Sequence, residues 1–397
     1  MLLREIDQQQ REISRFVDEV FASIPRRDTR EWADCYLRGL LLDGDRKTVQ
    51  RMAERLPGAD VQALQQFVNQ SSWDHLAVLH TLALRTTAGL DPDVWSLTDI
   101  PFLKTGRLTA GVARQWCEPL KRQANCQIAV VLNAVSSDAS TPISWRLFLP
   151  AEWDSDPSRR RQAGIPDEIR HAERWMLALE LLDQAVGWGL KPKTVVADSN
   201  YGRSAQFRRA LHDRGLDFVL SVPPKMFAEP EAAPPTEGDD PNASRPHTTN
   251  ARPADANYQW LPWNQGSDFP RSRFRAYPPQ PATSATKKPL PPRGGSSPET
   301  TVLAEWPPGT RSATASWITN LSVDTPLQRL VDLAKADCRV QGDHQEIQTR
   351  LGLDHFQGRS WRGWHHHVTL VTAAHAYLTL RGLQAQSAAR ATCHVLR

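Results

Sequence analysis

Asp198 closes a short apolar run. In "KPKTVVADSNYG", residues 191–202, Val195, Val196 and Ala197 lead straight into this acid, and Ser-Asn-Tyr-Gly follows as a turn. The pattern reads as a short buried strand with a carboxylate at its end. Such a carboxylate costs desolvation energy unless something positive sits opposite it. Asp198 is therefore the first candidate for chemistry. Ser199 behind it reads as a turn residue, not a nucleophile. The chain has neither a Gly-rich phosphate loop nor a GxSxG elbow.

Two weaker signals lie near the C-terminus. "WHHH", Trp364 to His367, brings a metal to mind, but three adjacent histidines on a helix spread over about 200°. Structural or DNA-facing roles come ahead of metal ligation for them, and His375, eight residues on, reads as core. "QGRSWRGW" interleaves Arg359 and Arg362 with Trp361 and Trp364. That mixture suits phosphate and base contacts, and helix-entry packing explains it equally well.

The elements that must hold these residues follow from periodicity. Residues 1–92 read as a helical domain. In it Ile13, Phe16, Val17, Val20 and Phe21 share one face, and Asp45 is placed to cap "DRKTVQRMAERL". From residue 93 the pattern turns to α/β. "VWSLTDI" is strand-like, and "CQIAVVLNAV" and "ISWRLFLP" form a hairpin. "RHAERWMLALELLDQAVGWGL" is an amphipathic helix ending at Gly189. The strand to Asp198, the helix "SAQFRRALHDRGL" and the strand "DFVLSVP" come next. Residues 226–300 are rich in Pro, Ala, Ser and Thr and read as an irregular low-complexity insert, with "YQWLPWNQ" and "RSRFRAY" as strand candidates inside it. Strands and two helices resume over 301–397.

At 397 residues the chain has room for two or three domains, and 40% hydrophobic content supplies a core. A net charge of +4 is compatible with nucleic acid without being diagnostic. Five scattered cysteines without a CxxC pair argue against a disulfide framework or a zinc site and fit a reducing cytoplasm. The charged N-terminus does not read as a signal peptide, and no apolar run is long enough to span a membrane.

Several long stretches together carry a resemblance: "TGRLTAGVARQWCEPLKRQANCQIAVVLNAV", "ISWRLFLPAEW", "RRRQAGIPDEIR", "VVADSNYG" and "LGLDHFQGRSWRGWHHHVTLVTAAHAYLTL". They resemble insertion-sequence transposases of the DDE superfamily, an actinobacterial-type group, over nearly the whole chain outside about 226–300. The resemblance implies an RNase H-like catalytic domain, first part 93–225 and second part 301–397. It also implies an active site in which two Asp and one Glu hold two divalent metals, with Mg2+ as the cofactor of an active enzyme. Asp198 matches the second Asp. Lys104 and Arg114 fall in matching stretches where they would approach phosphate.

The other two acids are missing. In "LTDIPFLKTG", Thr98 occupies the place of the first catalytic Asp and Ile100 that of a Thr, while Asp99 stands next door. Neighbouring side chains on a strand point to opposite faces, so Asp99 is a ligand only if the match shifts by one. In "DCRVQGDHQEIQ", Gln341 stands where the Glu belongs. Asp337, four residues back, shares its helix face, whereas Glu346 lies about 140° round. If a metal binds, Asp198 is its only secure ligand. The resulting expectation is a transposase-derived DNA-binding protein impaired in strand cleavage and transfer: a remnant, a regulator of transposition or a transcription factor. Two alternatives stay open. One is an active transposase using Asp198 with Asp99 and either Asp337 or Glu346. The other is a fold repurposed for a small molecule, with Thr98, Asp198 and Gln341 lining the old cleft. DNA is the expected partner and no membrane is; a homodimer is left open.

Overall fold

A computed structural model describes residues 2–44, 46–227, 258–262, 271–279, 299–310 and 312–395. The chain separates into two compact units. One comprises residues 1–92, 98–191 and 339–397, the other 93–97 and 192–338.

The first unit opens with helices α1 (Leu2–Val20), α2 (Arg27–Leu41), α3 (Val49–Ala53), α4 (Val61–Asn69) and α5 (His75–Leu90). Their apolar stripes are those legible in the sequence: Ile13, Phe16, Val17, Val20 and Phe21 are all buried. Asp45 lies outside the described residues. The helix expected after it begins at Val49, where the Thr48 side chain accepts from the Arg51 amide. Strand β1 (Val94–Leu103) starts in the second unit and ends in the first. Then come β2 (Ala113–Cys117), β3 (Arg122–Val135) and β4 (Ser140–Leu147). β3 pairs antiparallel with β2 through its first residues and with β4 through its last. α6 (Pro157–Ala163) and α7 (Arg174–Gly187) complete this stretch.

The second unit carries a mixed sheet. β5 (Thr194–Ala197) lies parallel to the start of β1, with Leu97 opposite Ala197. α8 (Ser199–Gly202) and α9 (Ala205–Asp213) lead to β6 (Asp217–Val222), parallel to β5. β7 (Gln259–Pro262) and β8 (Arg271–Tyr277) are the two strands expected inside the insert, and they pair with each other. The sheet continues antiparallel through β9 (Thr301–Trp306) to β10 (Ala315–Thr319), which closes on β6. The remaining low-complexity stretches lie outside the described residues. α10 (Leu327–Arg350) passes from the second unit to the first at Cys338, and α11 (Trp361–Val395) belongs to the first.

The order strand, hairpin, helix, parallel strand, helix, strand makes this an α/β fold of the RNase H-like kind. In the first unit one core joins the N-terminal helices to β3, β4 and α11. Tyr36, Phe67, Trp145, Val371 and Tyr377 all contribute to it. No described helix is long and apolar enough to cross a membrane.

Candidate functional site

Asp198 sits where β5 ends, and its local role is clear. It caps α8, accepting at Oδ1 from the Asn200 amide at 2.8 Å and at Oδ2 from the Asn200 side chain at 3.3 Å. The four residues after it, read from sequence as a turn, form one turn of helix. Gly202 makes this possible: a Cβ there would stand 2.0 Å from the Ser221 carbonyl oxygen on β6. Arg208 donates to the Gly202 carbonyl at 2.7 Å and forms a buried ion pair with Glu299. The Asp198 turn is thus anchored from α9.

Asp337, in the same unit, accepts from Ser96 Oγ at 2.9 Å. Ser96 is opposite Val196 in the β1–β5 register. Asp337 therefore reaches the strand pair that carries Asp198, and it is engaged by a serine there.

In the first unit the hydroxyl of Thr98, only 8% exposed, accepts from Asn133 Nδ2 at 3.2 Å. The other end of that amide, Oδ1, lies 2.9 Å from His344 Nε2. Since the amide nitrogen is the donor to Thr98, Asn133 Oδ1 is an acceptor and His344 Nε2 carries the proton. Burial, aided by nearby His375, pushes the His344 pKa down to about 3, so the ring is neutral. Asp99, next to Thr98, forms an ion pair with Arg174 of α7. Gln341 is exposed, and Glu346 pairs with Arg350 one turn on.

The three adjacent histidines are core residues. His365, His366 and His367 are at most 5% exposed. His367 Nδ1 lies 2.9 Å from the Tyr36 hydroxyl, and Nε2 faces the Gly352 and Leu353 carbonyls. His366 stacks on Trp73 with ring centroids 3.8 Å apart and has the Val68 and Trp73 carbonyls at its two nitrogens. Burial pulls both rings down to about 4. Among the described residues no group of three or more His, Cys, Asp or Glu is placed to hold a metal.

The basic–aromatic stretch divides. Arg359 and Arg362 are exposed, the latter reaching the Gln70 carbonyl at 3.2 Å, and Trp361 is half-buried. Trp364 is 2% exposed and packs edge-on against Phe102 and Trp145. It turns into the core, so base stacking does not describe it. Arg114 is exposed on β2. Lys104 is half-buried; it donates to the Phe356 carbonyl at 3.0 Å, and burial lowers its pKa.

The family model for DDE superfamily endonucleases matches residues 19–268, well over half of the chain. The chain belongs to that superfamily. No curated protein matches it. For a DDE superfamily endonuclease, a transposase-like function and a requirement for divalent metal are the family norm. The matched segment contains Thr98, Asp99 and Asp198; Asp337 and Gln341 lie beyond it. Sequence reasoning missed Asn133, His344 and Arg174. His344 had a signal, because it shares a helix face with buried Val340 and Ile347. Arg174 had none.

Proposed function

We propose that this DDE superfamily member is a transposase-derived DNA-binding protein impaired in metal-dependent strand cleavage and transfer. The observation that carries the reading is the neutral, buried chain Thr98–Asn133–His344 at the position where the resemblance requires the first acid. A pair of hard divalent cations needs several anionic oxygens. The residues present do not fit that demand. Asp198 is a helix cap, Asp99 is held by Arg174, Asp337 by Ser96 and Glu346 by Arg350. A hydroxyl and an amide stand in the other two places.

DNA binding rests on family membership and on exposed cations, Arg114, Arg359 and Arg362. The test pairs two assays. A gel-shift with genomic fragments, with and without Mg2+, should show binding independent of the metal. A cleavage assay on element-end DNA should show no product; a metal-dependent product that Asp198→Ala abolishes would refute the impairment.

A further inference from the structure

Nine large hydrophobic side chains are exposed among the described residues, and four of them, Leu103, Leu108, Trp116 and Leu120, fall within eighteen positions. Apolar groups gathered in this way mark an interaction surface more than scattered ones do. Two of them, Trp116 and Leu120, sit on one device. β2 and the first residues of β3 form a two-stranded ribbon, from Ala113 opposite Cys126 to Cys117 opposite Arg122. A single 3-10 turn, Glu118–Leu120, closes it, and Lys121 takes a left-handed backbone, φ 49°, to re-enter β3.

The register places Arg114 and Trp116 on the same face as Asn125 and Gln123. Asn125 then ties the preceding loop to that face, donating to the Lys104 carbonyl at 2.6 Å and the Gly106 carbonyl at 3.0 Å. Trp116 is not free to swing: its indole N–H donates to Glu118 at 2.6 Å. The same carboxylate is neutralised by Lys121. Arg107, Arg114 and Arg122 are exposed and have no acidic partner among the described residues. Arg122, opposite Cys117, lies on the other face from Arg114, so the ribbon presents a cation on each face and an apolar tip, Pro119 and Leu120.

Cations beside an apolar tip match a duplex: phosphates along the groove, a base step at its floor. A two-stranded ribbon fits a DNA groove, and Pro and Leu are wedges that unstack base pairs and kink the helix. We infer that the β2–β3 ribbon is a DNA-bending arm, with Arg114 and Arg122 on phosphates and Pro119–Leu120 inserted at a base step. This rests on the DNA-binding reading above and adds a mechanical activity to it.

The experiment uses the full chain and a short duplex labelled at both ends for energy transfer, with 2-aminopurine as a reporter of unstacking. Wild type is expected to raise both the transfer efficiency and the 2-aminopurine signal. Leu120→Ser should bind within about threefold of wild type but lose the bend, since the electrostatic contacts that dominate affinity remain. Arg122→Gln should weaken binding and lower the salt slope by about one. Pro119→Ser gives a second tip variant with the same expected loss of bending. Binding without any rise in transfer, or unchanged bending by Leu120→Ser, overturns the arm while leaving DNA binding intact. Leu120-dependent binding to phosphatidylserine vesicles with no DNA bending overturns it in favour of a membrane surface. Absence of any shifted complex overturns both readings.

Discussion

His344 Nε2 lies 2.9 Å from Asn133 Oδ1, and the same amide donates to Thr98. This amide bridge satisfies a buried histidine and a buried hydroxyl without any charge. A buried polar group left unpaired costs roughly 1–3 kcal/mol. The bridge therefore stabilises a position that needs no counter-ion, whereas a catalytic acid there would need one.

The first prediction follows. On the proposed reading, Thr98→Asp alone should give no cleavage, because Gln341 still supplies no charge. Thr98→Asp with Gln341→Glu should yield Mg2+- or Mn2+-dependent nicking at least about 100-fold above wild type, some 3 kcal/mol of barrier. Adding Asp198→Ala should abolish it. Plasmid nicking reads this directly, and a double variant without activity would count against Thr98 and Gln341 standing in the places of catalytic acids.

Arg174→Met tests the active-transposase alternative. Asp99 has its carboxylate largely buried, and Arg174 is its cation. Loss of the partner should destabilise the protein by about 1–2 kcal/mol, less than a fully buried pair because Arg174 is partly exposed. Thermal melting measures that. Manganese titration should show no new ion bound; tight binding after release of Asp99 would restore Asp99 as a ligand.

What was legible in the chain divides by sequence distance. The apolar run of β5, the helix α9 and the hairpin of β3 and β4 are local patterns, and each formed as read. Asp198 at the strand end was legible, but its capping of α8 was not, because four polar residues read equally well as a turn. Asp99 and Arg174 are 75 residues apart, Asn133 and His344 are 211 apart, and no periodicity names such partners. Trp364 misled for a related reason. Its neighbours Arg359 and Arg362 are polar, but helix phase turns the indole inward.

Acid should unfold the first unit through its histidines. His366, His367 and His375 have pKa values lowered to about 4 and His344 to about 3, all chiefly by burial. The unfolded chain binds protons near 6.5, so it carries more protons than the folded chain between those values. Stability is then flat above about pH 7 and falls as pH drops from 6.5 towards 4, by up to about 3 kcal/mol for each ring. Urea unfolding across this range checks the slope. His344→Gln keeps a donor for Asn133 and should remove about one proton from the uptake; an unchanged slope would show that His344 is not held neutral.

DNA affinity should separate the two kinds of residue in "QGRSWRGW". Arg359→Ala and Arg362→Ala remove exposed charges, so each should weaken binding to all sequences alike and reduce the salt slope by about one. Trp364→Ala removes a core indole packed on Phe102 and Trp145, so it should cost about 3–5 kcal/mol of stability. Any loss of DNA binding by that variant should track its unfolded fraction. Salt-dependent gel-shifts alongside thermal melts distinguish the cases. A folded Trp364→Ala protein with weakened binding and an unchanged salt slope would mean that the indole meets DNA after all, which its 2% exposure argues against.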